Sequence, residues 1–170
     1  MICLLAHEQQ VSKALEEANS FHEIFALVQT AVEKTLRESR AGLNLGIMEL
    51  GNEKNKFLGA FYPAESNIIV LNNTPLRRIA ETNPELFKPY LFHVILHEYL
   101  HSLGYLDENT VRSISYSVCS QMLGENHPAT QMTIDIERFF PSLVYPYGLP
   151  ANTQHMLLIE DLDRGMDYID

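Results

Sequence analysis

The sequence predicts one α+β domain over residues 1–170, in which a small mixed sheet packs on a long N-terminal helix and on a later helix that carries histidines. A chain of 170 residues is close to the usual size of a single core. Its content of 46% hydrophobic and 20% charged residues is typical of a folded globular protein. Runs with helical periodicity stand before and after a block of strand-like runs, which indicates helices packed on a sheet.

The first part of the chain is predicted to be helical. The clearest helix lies in "NSFHEIFALVQTAVEKTLRES", where Ser20 followed by Glu23 fits a capping box. The apolar positions that form one face of this helix are Phe21, Ile24, Phe25, Val28, Val32 and Leu36. A shorter helix is predicted just before it, at residues 11–18.

Three runs that follow are typical of strands, namely "LNLGIMEL", "FLGAFY" and "NIIVLN". Four residues separate the last two runs, which favours a hairpin or a closely neighbouring pair. A short helix is predicted in "PLRRIAET", and "HMLLIEDL" near the end of the chain is predicted to be a late strand.

Proline and glycine signals place the next helix. Asn83 and Pro84 fit a cap and a first helical position. Pro89 interrupts the pattern, so the main helix is predicted to begin near it and to run to about Leu103. Gly104 stands where a glycine is expected after the end of a helix.

Two further helices are predicted after this glycine. The first begins at Asp107 or Glu108 and ends before Gly124. The residues of its apolar stripe are Val111, Ile114, Val118 and Met122. The second is predicted to begin near Pro128, in "NHPATQMTIDIERFF", whereas the prolines and tyrosines of residues 141–150 indicate irregular structure.

Charge and cysteine content limit the classes of function. The formal net charge of −10 argues against a general nucleic-acid binder and against binding to anionic membranes. Cys3 and Cys119 make no disulfide framework and are predicted to be buried thiols in a reducing compartment. The start "MICLLAHEQQ" does not resemble a signal peptide, and no apolar run reaches the length of a membrane span. A soluble cytoplasmic protein is therefore expected.

The motif with the most chemical content lies in "FHVILHEYLHSLGYLDE", at residues 92–108. Residues four apart share one face of a helix, so His97 and His101 can offer imidazole nitrogens to one metal ion. Glu98 lies beside them, where it can take a proton from a metal-bound water. The H-E-x-x-H spacing therefore predicts a zinc site with Glu98 as general base, rather than two surface histidines beside a solvated glutamate.

The longer stretch "HEYLHSLGYLD" resembles the H-E-x-x-H-x-x-G-x-x-H/D signature of the metzincin clan of zinc peptidases, and aspartate in the last place is similar to the snapalysin-like branch. The resemblance implies a zincin-like fold with His97, His101 and Asp107 as zinc ligands, Glu98 as general base and Gly104 at the turn. It also implies a peptide or protein substrate, held by an edge strand within "FLGAFYPAESNIIVLN".

The third ligand is not fixed by the residues alone. Asp107 is also a good N-cap for the following helix, and one carboxylate has oxygens enough for both roles. Glu108 is the next candidate. Glu125 and His127 are kept as later candidates, although a continuous helix from Glu108 would carry them roughly 24 Å away.

Four nearby residues can be interpreted either as packing residues or as functional residues. His93 lies one turn before His97 and is expected to be a packed, hydrogen-bonded histidine rather than a group that faces the substrate. Tyr99 and Tyr105 are expected to be packing residues rather than oxyanion donors. Metzincins place a methionine turn beneath the metal, but the periodicity places Met122 on a helix, as a core residue.

Two other functions remain open. "HEYLHSLGYLDE" also resembles the H-G-x-L-H-x-x-G-Y-x-H motif of YbeY-type metal-dependent endoribonucleases, from which it departs at Glu98 and Asp107. The acidity of the chain disfavours RNA binding. A latent or non-catalytic, peptide-binding zincin is the third possibility, with Tyr145-Pro146-Tyr147 or the C-terminal tail over the cleft.

Overall fold

The structure is a computed structural model that describes residues 2–52, 58–141, 143 and 152–159. The side chains of residues 2–5, 7 and 152–155 are outside this description. The segments that were predicted to cover the cleft, Tyr145-Pro146-Tyr147 and the C-terminal tail, lie outside the described residues, and so does Phe57 at the start of one strand-like run.

The elements confirm the predicted α+β class. The helices of the described residues are α1 (Ile2–Glu17), α2 (Phe21–Leu36), α3 (Asn73–Thr82), α4 (Phe87–Ser102), α5 (Glu108–Leu123) and α6 (Pro128–Met132). The strands are β1 (Asn44–Glu49), β2 (Ala60–Phe61), β3 (Ile68–Asn72) and β4 (Asn152–Leu158). None of these helices, within the part of the chain that is described, is long and apolar enough to cross a lipid bilayer.

The four strands form one mixed sheet in the order β2-β3-β1-β4. Strands β1 and β3 are parallel, and β4 pairs antiparallel with β1 at one edge. At the other edge β2 pairs antiparallel with β3, with Ala60 opposite Leu71, so the predicted hairpin is confirmed. Among the described strands, β2 lies at the edge of the sheet, and its outer side has no strand partner there.

Helix α2 begins where its sequence predicts. The hydroxyl Oγ of Ser20 accepts a hydrogen bond from the backbone N–H of Glu23 at 3.0 Å. The Glu23 carboxylate accepts in turn from the backbone N–H of Asn19 at 2.7 Å, one residue earlier than in the usual capping box. The predicted apolar face is buried, with the exception of Leu36, which is partly buried against the core.

Helix α4 is the central element of the fold. It contacts strands β2 and β3 and helices α2, α5 and α6, so it lies between the sheet and the other helices. Its buried residues are Phe87, Tyr90, Leu91, Phe92, Val94, Ile95, Leu96, Tyr99, Leu100 and Ser102. A helix that is apolar on most of its surface is stable only in such a buried position. Four polar residues of α4, namely His93, His97, Glu98 and His101, line a cleft between this helix and β2.

Several element boundaries differ from the predicted ones. Strand β4 begins at Asn152 rather than at His155, and α3 begins at Asn73 rather than at Pro75. Helix α1 extends back to Ile2, because its first apolar turns continue the helix without any capping signal to stop them. Helix α4 begins at Phe87, since Pro89 stands in the first turn, where no backbone donor is needed. Helix α6 ends at Met132, much earlier than "NHPATQMTIDIERFF" predicts. The hydroxyl of Thr133 donates to the Thr130 carbonyl there, which competes with the helical ladder.

Candidate metal centre

Three side chains meet at the end of α4 and the start of α5. The Nε2 atom of His97 lies 3.0 Å from Oε2 of Glu108, and Nε2 of His101 lies 3.0 Å from Oε1 of the same carboxylate. The two Nε2 atoms are 3.2 Å apart. The cluster of His97, His101 and Glu108 thus presents three ligand atoms of the kinds that bind zinc.

A tight turn after α4 brings Glu108, the first residue of α5, next to His97 and His101. The N–H of Gly104 donates to the carbonyl of His101, and the N–H of Tyr105 donates to the carbonyl of Leu100, which together form a Schellman motif. Gly104 has φ +103°, a conformation that L side chains rarely adopt. A Cβ atom at this position would meet nothing within 4 Å, so the backbone angle rather than lack of space requires glycine.

The same turn favours one tautomer of His101, a candidate ligand. Atom Nδ1 of His101 lies 2.8 Å from the carbonyl oxygen of Tyr105, to which it donates its proton when the ring is neutral. Its Nε2 then carries the lone pair and faces the cluster. Metal-bound histidines commonly have such a carbonyl partner on the second nitrogen, because it orients the ring and raises its basicity.

The structure assigns different positions to the two adjacent carboxylates. Atom Oδ2 of Asp107 accepts hydrogen bonds from the N–H and the hydroxyl of Thr110, both at 2.8 Å, so Asp107 is the N-cap of α5. These hydrogen bonds lower the pKa of the Asp107 carboxyl. Glu108, the first helical residue, is the one whose carboxylate lies against the two histidines. Asp107, the residue that the resemblance places third, is therefore not among the three side chains brought together.

The two later candidates lie elsewhere. His127 caps α6, where its Nδ1 accepts from the N–H of Ala129 at 3.1 Å. Glu125 is exposed in the turn that precedes α6. Neither belongs to the cluster of described side chains around His97.

The three side chains lie close enough together to hold one zinc ion. One ligand atom from each lies within 4.8 Å of the other two, and tetrahedral zinc with bonds of about 2.0–2.1 Å separates its ligand atoms by about 3.3 Å. His97 and His101 contact different oxygens of the Glu108 carboxylate. The side chain of Glu108 is 69% exposed, compared with 27% and 15% for His97 and His101. One side of the cluster is therefore open, as a fourth position for water or substrate requires.

Electrostatics favour metal binding over protonation at His97. Burial lowers the pKa of His97, and the neighbouring His101 and Arg112 lower it further, whereas Glu108 raises it. The net effect is a neutral imidazole near pH 7, and a neutral imidazole is the form that binds metal.

Glu98 projects beside the cluster rather than into it. Burial, followed by the charge of Glu108, raises the pKa of the Glu98 carboxyl to about 8. Its carboxylate also accepts a hydrogen bond from the backbone N–H of Tyr62, just after the edge strand β2. Glu98 thus connects the histidine helix to the strand edge that faces it.

A cavity of about 580 Å³, here called the main cavity, contains these groups. One wall is the segment from Leu58 to Tyr62, which includes β2. The opposite wall consists of His93, Val94, His97, Glu98 and His101 from α4. The first residue of α5, Glu108, and the exposed Leu106 complete the rim. The edge strand β2, which has no outer partner among the strands that the structure describes, therefore runs along a cleft that contains the three candidate ligands.

Two residues that sequence reasoning missed hold this cleft together. The guanidinium of Arg40 donates to the Tyr62 hydroxyl, the Ser102 carbonyl and the Ser66 carbonyl at 2.7, 2.6 and 2.7 Å. Nearby, the Tyr105 hydroxyl donates to the Glu38 carboxylate. The short segment after α2 thereby ties the β2–β3 turn to the end of α4. No local pattern marks these residues, because their partners are far away in sequence.

The remaining residues around the motif take packing roles, with one exception. Tyr99 and Met122 are buried in the core as predicted, and the Tyr99 hydroxyl accepts from the N–H of Arg40. His93 differs from its expected hydrogen-bonded state, since its Nδ1 is buried and has no hydrogen-bond partner among the described residues. Cys119 is a buried free thiol, as predicted.

Comparison of the chain with protein-family models, with curated proteins and with solved structures gave no match.

Proposed function

We propose that the protein is a zinc-dependent metallopeptidase in which His97, His101 and Glu108 bind the metal. The observation that carries this proposal is the meeting of three side chains beside Glu98, with the two Nε2 atoms 3.2 Å apart and each 3.0 Å from an oxygen of Glu108. Two histidines and one glutamate, with one side open, form a set typical of catalytic rather than structural zinc. Asp107 then acts as the cap of α5, and Glu108 is the third ligand.

The residues around the metal have separate tasks in peptide hydrolysis. Zinc, when bound, lowers the pKa of a water and polarises the scissile carbonyl. Glu98, in its ionised form, accepts the proton of the attacking water and delivers it to the leaving amine nitrogen. The charge of a bound zinc ion would favour this ionised form over the protonated one that burial favours. The hydrogen bond between His101 and the Tyr105 carbonyl keeps the His101 ring oriented throughout.

The edge strand supports a peptide as the substrate. An extended peptide can pair with the free side of β2 through backbone hydrogen bonds, as an additional strand of the sheet. Such a peptide would lie along the main cavity between β2 and α4, next to Glu98. The lining residues Gly59, Ala60 and Val94 are small or apolar, which leaves room for the substrate.

The endoribonuclease alternative has less support. None of the described residues that line the main cavity is lysine or arginine, and the chain has a formal net charge of −10. RNA binding depends on cations that neutralise phosphates. A general base at position 98 has a direct task in peptide hydrolysis.

The proposal is tested with the Glu98→Gln variant, which keeps the size and polarity of the side chain but removes the base. We expect full zinc content and loss of casein cleavage by a factor of at least about 100, within the range of general-base effects. Glu65→Gln, an exposed glutamate of the β2–β3 turn, is the matched control and should keep full activity. Cleavage of structured RNA but not casein by the zinc-loaded protein would favour the endoribonuclease instead.

A further inference from the structure

A second cavity of about 290 Å³, here called the side pocket, adjoins the metal cluster. It lies between α4, α5 and residues 132–137, which lead away from α6. The side pocket and the main cavity share His93, His97 and Ile136 as lining residues. A substrate bound at the metal can therefore extend from one cavity into the other.

The side pocket contains buried polar atoms that lack partners. Ser115 is fully buried, and neither its Oγ nor the Nδ1 of His93 has a hydrogen-bond partner among the described residues. Both residues line the pocket. Buried polar atoms in folded proteins nearly always have a hydrogen-bond partner, so a water or a ligand group in the side pocket is expected to supply it.

Arg112 supplies a positive charge to the side pocket. It lies one turn after Glu108 on α5, on the same helix face, and lines the pocket. His93 and His97 line the same pocket, and the charge of Arg112 contributes, after burial, to lowering the pKa of both imidazoles. Among the described residues it forms no ion pair with a carboxylate, including the pocket residues Asp135 and Glu137.

We propose that the side pocket binds a carboxylate of the substrate, with Arg112 as the cation and the Ser115 hydroxyl as a further donor. The inference rests on the proposed peptidase function and deepens it, because it names an acidic peptide as the substrate class. A guanidinium presents two parallel N–H donors that match the two oxygens of a carboxylate. The carboxylate can belong to an acidic side chain or to a free C-terminus.

The test measures peptide binding separately from cleavage. Zinc-loaded Glu98→Gln protein is titrated calorimetrically with acetyl-Ala-Glu-Ala-amide, with its glutamine and lysine counterparts, and with acetyl-Ala-Ala as the free acid and as the amide. In one of two comparisons, glutamate peptide against glutamine peptide or free acid against amide of acetyl-Ala-Ala, we expect the carboxylate form to bind at least about ten-fold more tightly. A difference in the first comparison identifies an acidic side chain as the ligand, and a difference in the second identifies a free C-terminus.

The role of Arg112 is tested in the same background. Arg112→Met should reduce the acid-to-amide ratio to near one and leave binding of the amide unchanged, and Arg112→Lys should restore part of the preference. Arg77→Met, on the distant helix α3, is the control and should leave the ratio unchanged. Ser115→Ala should weaken binding of the acid alone, whereas a hydroxyl with only a packing role would affect thermal stability and not binding.

Several results would overturn the inference. They are equal binding of acid and amide, tighter binding of the lysine peptide through Asp135 and Glu137, binding of none of the peptides, or an unchanged ratio in Arg112→Met. Failure of the proposed function looks different. In that case, the acid preference and its loss in Arg112→Met would persist, but the zinc-loaded wild type would cleave neither casein nor the acidic peptide.

Discussion

Removal of the Arg40 guanidinium should destabilise the protein far more than removal of a surface arginine. Arg40→Met keeps most of the aliphatic stem but deletes the three hydrogen bonds to Tyr62, Ser66 and Ser102. Arg40 is half-buried, so water replaces these contacts only in part. The Ser102 carbonyl at the end of α4 also loses a nearby cation, which a helix C-terminus favours.

The magnitude follows from the number of contacts. A hydrogen bond contributes about 1 kcal/mol net, so three give a loss of about 3 kcal/mol in the free energy of unfolding. The stacking of the guanidinium over the Tyr62 ring, at 5.4 Å from its centroid, adds a smaller amount. For a chain of this size the loss corresponds to a decrease in Tm of roughly 6–12 °C.

The assay is urea unfolding of metal-free protein in excess chelator, followed by circular dichroism, so that zinc binding does not contribute to stability. The urea concentration at the midpoint of unfolding should fall, and the dependence of the unfolding free energy on urea concentration should stay unchanged. Arg77→Met is the control, because the Arg77 guanidinium has a partly exposed pair with Glu49 at 3.3 Å and should lose less than about 1 kcal/mol. Equal losses in the two variants would refute the role assigned to Arg40.

Three further results are expected. Gly104→Ala should lower the free energy of unfolding by about 1–2 kcal/mol in chemical denaturation, because φ +103° strains an L residue although the space is open; an unchanged midpoint would contradict this. In a Cys3→Ser background, Cys119 should react with a thiol reagent only on unfolding, because burial raises the pKa of its thiol to about 12. Fast labelling of the folded protein would contradict the burial of this thiol. Burial lowers the pKa of His93 to about 3, so below about pH 6.5 the unfolded chain binds a proton that the folded one does not. Stability of the metal-free protein should therefore fall towards acid by up to about 1.4 kcal/mol per pH unit, and less steeply in His93→Gln.

Local signals in the sequence predict much of the fold. The cap at Ser20, the β2–β3 hairpin and the stop at Gly104 each depend on residues within a few positions of one another, and all three are found in the structure. The start of α1 could not be predicted in this way. The sequence before Val11 contains no helix start signal, although α1 begins at Ile2.

Only part of the candidate ligand set can be predicted from local spacing. The placement of His97, Glu98 and His101 on one helix follows from their spacing. The choice between Asp107 and Glu108 does not, because both residues lie at the start of α5 and both carry a carboxylate. It depends on the angle at which α5 leaves the turn, which tertiary packing sets. The N-cap role of Asp107, considered from the sequence, is the one that directs its oxygens towards Thr110.

Arg112 was missed for a related reason. Its spacing of four residues from Glu108 places both on one face of α5, which was visible in the sequence once Glu108 is taken as a ligand. The partners of that face, His93 on α4 and the residues after α6, come together only in the folded chain.

The zinc content of purified variants tests the central claim most directly. Elemental analysis after zinc loading and dialysis should give one zinc per chain for the wild type and for Asp107→Asn. Glu108→Gln should lose most of its zinc, because it removes one of three ligands, and His101→Gln should lose it as well. Full zinc content in Glu108→Gln, with loss in Asp107→Asn, would contradict the assignment of His97, His101 and Glu108 as the metal ligands.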